Sequence, residues 1–141
     1  MVANDDTNRL LREIGRLLAE DTEYPLDGTL LYARVEAGSV APSIFKNREN
    51  DIVFRWADLD RLCPVLLDLW ESEDGVEQWA EIEYVVRDDK FEVEYTYAEQ
   101  IDPEEEHMVR RDRVVQRHFG NKPITYPGFP DDDDMPFYDL Q

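Results

Sequence analysis

The sequence predicts an α+β fold, a mostly antiparallel sheet of four to five strands with helices packed on one face. Several segments alternate between apolar and polar residues as strands do, and others repeat apolar residues at helical spacing. The segments follow the order helix, two or three strands, helix, two strands, helix. Because alternating strands form a sheet with one apolar face, we expect the helices to cover that face and the polar face to lie in water.

The first helix is predicted over residues 5–20, and it must end before Pro25. Five apolar residues recur there at helical spacing: Leu10, Leu11, Ile14, Leu17 and Leu18. Gly15 lies among them and weakens a helix by about 1 kcal/mol relative to alanine. A glycine at that point indicates close packing.

Strands are predicted next over residues 29–36 and 52–56, with residues 40–46 as a candidate for a further short strand between them. Pro42 lacks a backbone N–H, so the second strand is expected at an edge of the sheet. A second helix then starts at Asp58 or Asp60 and extends through Trp70. Pro64 leaves two interpretations, a kinked helix or a short turn before a helix that begins at Pro64, and we favour the turn.

Residues 79–97 predict a β-hairpin with a two-residue turn at Asp88 and Asp89. On its apolar face the predicted pairs are Val86 with Phe91, Tyr84 with Val93, and Ile82 with Tyr95. On the opposite face they are Val85 with Glu92, Glu83 with Glu94, and Glu81 with Thr96. Burial fixes this register, because a one-residue slip would place the glutamates in the core.

The glutamate face of the hairpin is the candidate functional surface. Glu83 lies directly across from Glu94 in the predicted register, and like charges opposite each other on a sheet are unfavourable. The pair therefore does not stabilise the fold. It is either tolerated in solvent or kept for a basic partner.

The last helix is predicted to begin with Asp102 as its N-cap and Pro103 at its first position, and to end near Gly120. Residues 122–141 are rich in proline and aspartate and predict an extended acidic tail. We therefore expect a single α+β domain over residues 1–121. The tail is expected to lie along this domain through Tyr126 and Phe129.

The charge of the chain is strongly negative, with 34 acidic and 15 basic residues and a formal net charge of −19. Such a field repels nucleic acid and anionic membranes and attracts cationic partners. Adaptation to high salt is an alternative explanation, since the only lysines are Lys46, Lys90 and Lys122. No signal peptide and no apolar run of membrane-spanning length is evident, so a soluble cytoplasmic protein is expected.

No motif in the sequence predicts catalysis or a cofactor. Cys63 lies among apolar residues and is typical of a small core residue. His107 and His118 are separated by about 16 Å along one helix and cannot share a metal ion. The aspartates at 131–134 lack the glycine and glutamate of an EF-hand loop. We therefore expect no enzyme activity, no metal and no cofactor.

Several segments together resemble the YezG-like immunity proteins, which are small acidic α+β proteins encoded beside polymorphic toxins. The likeness covers about residues 8–121 and is most specific in K-F-x-V-x-Y-x-Y at 90–97 and D-P-E-E at 102–105. It also includes LLYARVE at 30–36, DLDRLCPVLLDLW at 58–70 and WAEIEYVV at 79–86. Residues 38–50 match poorly, and the usual family chain stops near Gly120 without an acidic tail.

This resemblance implies an antitoxin that binds and neutralises a cognate toxin, often a nuclease, in the producing cell. Nuclease domains are cationic where they hold phosphate, so an acidic surface could occupy that site. The resemblance supplies no site residues, and the toxin-binding residues are therefore inferred from charge, with two apolar anchors. They are Glu81, Glu83, Glu92, Glu94, Asp88 and Asp89, with Trp79 and Val85 as the anchors. The alternative is an acidic protein-binding adaptor of unrelated role whose charge reflects high salt.

Overall fold

The computed structural model describes residues 5–36, 39–72 and 78–126. Within these ranges there are three α-helices: α1 (Asp5–Leu18), α2 (Leu59–Glu71) and α3 (His107–Phe119), with a 3-10 turn at Ala98–Gln100. The strands are β1 (Thr29–Glu36), β2 (Ser39–Asn47), β3 (Ile52–Arg55), β4 (Glu81–Arg87), β5 (Lys90–Thr96) and β6 (Ile124–Thr125). The predicted α+β class and the order of the elements are confirmed. The described part of the chain forms a sheet of six strands rather than four to five, in the order β5-β4-β1-β2-β3-β6.

The β4–β5 hairpin has the predicted register, including Glu83 opposite Glu94 and Val85 opposite Glu92. Asp88 and Asp89 form the two-residue turn with φ angles of 54° and 64°. Both angles lie in the left-handed region, which a type I′ turn requires and which aspartate tolerates better than most residues. The alternation of apolar and polar residues was therefore sufficient to align the two strands.

Helices α1 and α2 cover the face of the sheet that carries Leu31, Ile82 and Tyr84. The Tyr84 hydroxyl donates a hydrogen bond to the Leu11 carbonyl oxygen at 2.7 Å. A Cβ atom at Gly15 would lie only 2.8 Å from that hydroxyl oxygen. The close packing that Gly15 predicted is therefore present, and it joins α1 to β4.

Helix α3 packs on the opposite face, which corrects the expectation of helices on one face only. Its Val115 and Phe119 form a second core with Leu30, Phe45 and Val85 of the sheet. The described residues therefore form three layers, with two helices on one side of the sheet and one on the other. The face expected in water is covered over β1 and β4.

Neither proline inside a predicted element has the effect that the sequence predicted. β2 lies between β1 and β3, so the prediction of an edge strand is wrong. In the part of the chain that the structure describes, β3 pairs with residues 44–47 of β2, and Pro42 lies outside that part, where its missing N–H interrupts no pairing with β3. Helix α2 begins at Leu59 and continues through Pro64, so the favoured turn before Pro64 is wrong. Its buried stripe, Leu62, Leu66 and Leu69, spans the proline. Burial of this stripe offsets a proline penalty of about 3 kcal/mol.

The start of α3 also differs from the prediction. Asp102 closes a turn instead of capping the helix, because its side chain accepts from the Glu104 N–H and its carbonyl from the Glu105 N–H. The helix begins at His107, and Glu106 is the N-cap, its side chain accepting from the Val109 N–H at 3.1 Å. Gly120 ends the helix with φ 97°, as expected.

The domain extends beyond the predicted boundary at residue 121. Strand β6 pairs in parallel with β3, and the Ile52 N–H donates to the Pro123 carbonyl oxygen at 2.9 Å. Tyr126 packs on Phe54, with ring centroids 5.2 Å apart, and bonds to Arg111. The first part of the predicted tail is therefore a strand of the sheet. Phe129 and the aspartates at 131–134 lie outside the described residues.

Candidate functional site

The eight residues predicted to bind a toxin fall into a buried group and an exposed group. Trp79, Glu81, Glu83 and Val85 are buried, with exposures of 0% for Glu81 and 2% for Glu83. Asp88, Asp89, Glu92 and Glu94 are exposed. The prediction of one continuous glutamate surface is therefore wrong, and its β4 half is covered by α3.

Glu81 is the centre of a buried ionic network that joins β4 to α3 and β1. The Arg110 guanidinium donates to both Glu81 carboxylate oxygens at 2.8–3.0 Å. Arg34 donates to Oε2 at 2.8 Å and the Tyr32 hydroxyl donates to the same oxygen at 2.5 Å. A buried carboxylate needs partners of this kind, because an unpaired charge in the interior is strongly unfavourable.

The network also fixes the protonation states of its members. Burial acts to raise the pKa of Glu81, but the hydrogen bonds from Arg110, Tyr32 and Arg34 outweigh it and hold the pKa below its ordinary value. Burial and the bond to Glu81 raise the pKa of Tyr32, so the phenol stays neutral and donates. Glu81 is therefore a charged acceptor whose hydrogen-bonding capacity is used within the fold.

Glu83 is neutralised by the C-terminal end of α3. Arg117 Nη2 and His118 Nε2 both approach Glu83 Oε1, at 2.5 and 2.7 Å. Arg117 Nη1 also lies 3.9 Å from Glu94 Oε2. The like-charged pair across β4 and β5 thus has a cation above it, and that cation belongs to the protein's own helix. Glu83 is therefore neither a solvated charge nor one that is free to bind a partner.

The two predicted apolar anchors are core residues. Val85 packs between the sheet and α3, in the core that also holds Leu30 and Phe45. Trp79 is 1% exposed and packs on Tyr95, with ring centroids 5.2 Å apart. The Trp79 carbonyl accepts from the Trp70 indole N–H at 2.8 Å, which links the segment before β4 to α2. Neither side chain is available to a partner in this conformation.

Sequence reasoning did not identify the basic residues of α3 as partners of the hairpin glutamates. Arg110 and Arg117 are seven residues apart, as are Arg111 and His118, and that spacing repeats on one helix face. Arg111 lies over the rings of Phe45, Phe54 and Tyr126 at 5.3–5.8 Å. A basic helical stripe of this kind was the signal that could have predicted a cover for the glutamates of the hairpin.

The exposed group forms what we call the edge surface: the turn residues Asp88 and Asp89, with Glu92 and Glu94 of β5. The Glu92 and Glu94 side chains are 71% and 58% exposed, and their nearest cations, on Arg87 and Arg117, are 3.8 and 3.9 Å away. Ion pairs of that length and exposure contribute little. Residues 88–106 hold nine carboxylates and a single lysine, so the edge surface continues into an acidic segment.

The described residues offer no alternative chemical centre of the kinds considered above. They contain no group of three or more histidine, cysteine or acidic side chains placed to hold a metal ion. Burial raises the pKa of the Cys63 thiol, which disfavours the nucleophilic thiolate. Burial and Arg34 lower the pKa of His107, whose ring lies 6.2 Å from that of Tyr32. In the described ranges, none of the helices has the length and hydropathy that crossing a bilayer requires.

Comparison with known proteins adds no assignment to this geometry. No protein-family model matches the chain, and none of the curated proteins matches it.

Proposed function

We propose that this protein is an immunity protein that binds and neutralises a cationic toxin through the edge surface. The observation that carries the proposal is the uneven neutralisation of the hairpin. The β4 carboxylates are bound by the protein's own cations at 2.5–3.0 Å, whereas those of β5 project into solvent. The resemblance of the hairpin and of the acidic segment after it to YezG-like immunity proteins supports the same function.

The physical consequence of this arrangement is a rigid anionic edge. The buried networks around Glu81 and Glu83 attach α3 to β4, and β4 carries β5. Fixed carboxylates attract a cationic site before contact and raise the association rate by orders of magnitude at low salt. A nuclease domain whose phosphate site is basic is a suitable target, and we expect the protein itself to have no catalytic activity.

The test is co-expression with the product of the adjacent gene, measured as cell survival and as recovery of the complex in a pull-down. Glu92→Lys with Glu94→Lys should abolish protection while the protein stays folded. Glu49→Lys with Asp68→Lys changes the net charge equally at exposed positions elsewhere and should protect like the wild type. Full protection by the Glu92/Glu94 variant would refute the edge surface as the binding site.

A second candidate function is a protein-binding adaptor of unrelated role whose charge is an adaptation to salt. Exposed acids away from the hairpin, such as Glu49, Asp60 and Asp68, favour it, because they contribute to the charge without belonging to the edge surface. Under this alternative the free energy of unfolding should rise strongly in molar salt. Partner binding should then be indifferent to Glu92 and Glu94.

A further inference from the structure

We propose that β5 is a docking strand, to which the partner adds an extended segment in which basic and apolar residues alternate. The proposal rests on the proposed function, because it specifies how a cationic partner engages the edge surface. It goes beyond charge attraction by assigning main-chain hydrogen bonds to the contact.

The position of β5 permits strand addition. β5 is the outermost strand of the sheet and pairs with β4 on one side, and no other strand among the described residues pairs with it. An edge strand presents a row of backbone N–H and C=O groups that another chain can pair with. Hydrogen bonds in an antiparallel hairpin alternate along the strand from the pair that closes the turn, here Arg87 with Lys90. The backbone N–H groups of Phe91 and Val93 therefore point away from β4.

The side chains of β5 define the sequence of the segment that would be added. Glu92 and Glu94 share the α3 side of the sheet, and Phe91 and Val93 lie on the other side. Phe91 is 41% exposed and stacks on Tyr84, with centroids 4.9 Å apart, so it keeps open apolar surface on an ordered ring. Cross-strand neighbours interact directly. A matching strand therefore alternates lysine or arginine with apolar residues.

The same charges discriminate between possible occupants. A second copy of β5 would bring Glu92 and Glu94 close to their own like charges, which is unfavourable on a sheet. Exposed strand edges are usually protected by charge against self-association. The glutamates at this edge disfavour pairing with another copy of this chain by repulsion and favour a basic strand by attraction. Both effects contribute to specificity. The occupant is therefore a different protein.

The experiment uses the full-length protein and a short synthetic peptide in which lysine and valine alternate. Its matched control is the same peptide N-methylated at alternate residues, which keeps every side chain and charge but removes the donors of one strand edge. The unmodified peptide should bind about tenfold more tightly, since a few cross-strand pairs and their main-chain bonds are at stake. It should also slow hydrogen exchange at the Phe91 and Val93 amides.

Two variants test the side-chain part of the proposal. The double variant Glu92→Lys with Glu94→Lys should lose affinity for the lysine–valine peptide and gain affinity for a glutamate–valine peptide. The control variant, Glu49→Lys with Asp68→Lys, should bind both peptides as the wild type does. Equal affinity for the two lysine–valine peptides, or unchanged exchange at Phe91 and Val93, would overturn strand addition and leave a purely electrostatic surface. Failure of the proposed function is a separate result: the wild-type protein would then give no protection in the co-expression assay.

Discussion

Glu83 on β4 and Glu94 on β5 are opposite each other on the same face of the same sheet, yet they differ in burial and in the cations that contact them. Glu83 is 2% exposed and contacts Arg117 and His118 at 2.5 and 2.7 Å, whereas the Glu94 side chain is 58% exposed and its nearest cation is 3.9 Å away. The difference is the position of α3, which packs over β1 and β4 and leaves β5 at the rim. Alternation along a strand predicts which side chains share a face. Whether that face is exposed to solvent depends on the element that packs over it.

The largest expected effect is the loss of the Glu81 carboxylate. Glu81→Ala leaves Arg110 and Arg34 without their shared acceptor in a buried site, and we expect a loss of about 3–5 kcal/mol in the free energy of unfolding. Glu92→Ala removes the same group from the exposed half and should change stability by less than about 0.5 kcal/mol. Urea unfolding of both variants measures the contrast. Similar midpoints for the two would mean that Glu81 is not held as the structure has it.

A directly opposed pair gives the next largest effect. Glu83→Lys places a cation at a buried position next to Arg117 and should destabilise by roughly 3 kcal/mol, because the new charge has no anionic partner there. Glu94→Lys, one strand away, should leave the melting temperature nearly unchanged and weaken toxin protection. The structure therefore corrects the expectation that the β4 glutamates are free for a partner, since Glu83 contributes to folding. Equal melting temperatures for the two variants would contradict this division.

The Glu81 network also predicts a pH dependence. The pKa of Glu81 is below its ordinary value of 4.5 in the folded state, so its contribution is complete above pH 4.5 and is lost as the pH falls through the folded-state pKa. Glu81→Gln removes this contribution at every pH. The stability difference between wild type and Glu81→Gln should therefore be constant near neutral pH and shrink below pH 4.5. A difference that stays constant down to acid unfolding would contradict the lowered pKa.

The sequence was sufficient for the hairpin because its signals are local. A period of two, a two-residue turn and the need to bury Tyr84 and Val86 leave one register, and the structure has it. Gly15 likewise predicted close packing, which the Tyr84 hydroxyl explains. The hairpin partners follow from the period of two. For Gly15 the sequence indicated only close packing, and the structure identifies Tyr84 as the neighbour.

The packing of α3 over Glu81 and Glu83 could not be predicted in the same way, because α3 and β4 are separated in the sequence. Asp102 and Pro103 carry a strong helix-start signal, yet they form a turn and α3 begins at His107. The side of the sheet that α3 takes is settled by Arg110 meeting Glu81 and by Val115 entering the second core. Parallel pairing of β6 with β3 is non-local as well, and only two residues take part.

The smallest expected effect tests whether the two halves of the hairpin are independent. Arg117 contacts Glu83 closely and Glu94 at 3.9 Å, so a double-mutant cycle can compare the two couplings through one guanidinium. Combining Arg117→Gln with Glu83→Gln should give a coupling of about 1–3 kcal/mol, as for groups in one network. Combining it with Glu94→Gln should give less than about 0.5 kcal/mol, and that small term should vanish in high salt, because the pair is exposed and screened. Equal couplings would mean that Glu94 is already neutralised by α3, and the edge surface would then have one carboxylate fewer to offer a partner.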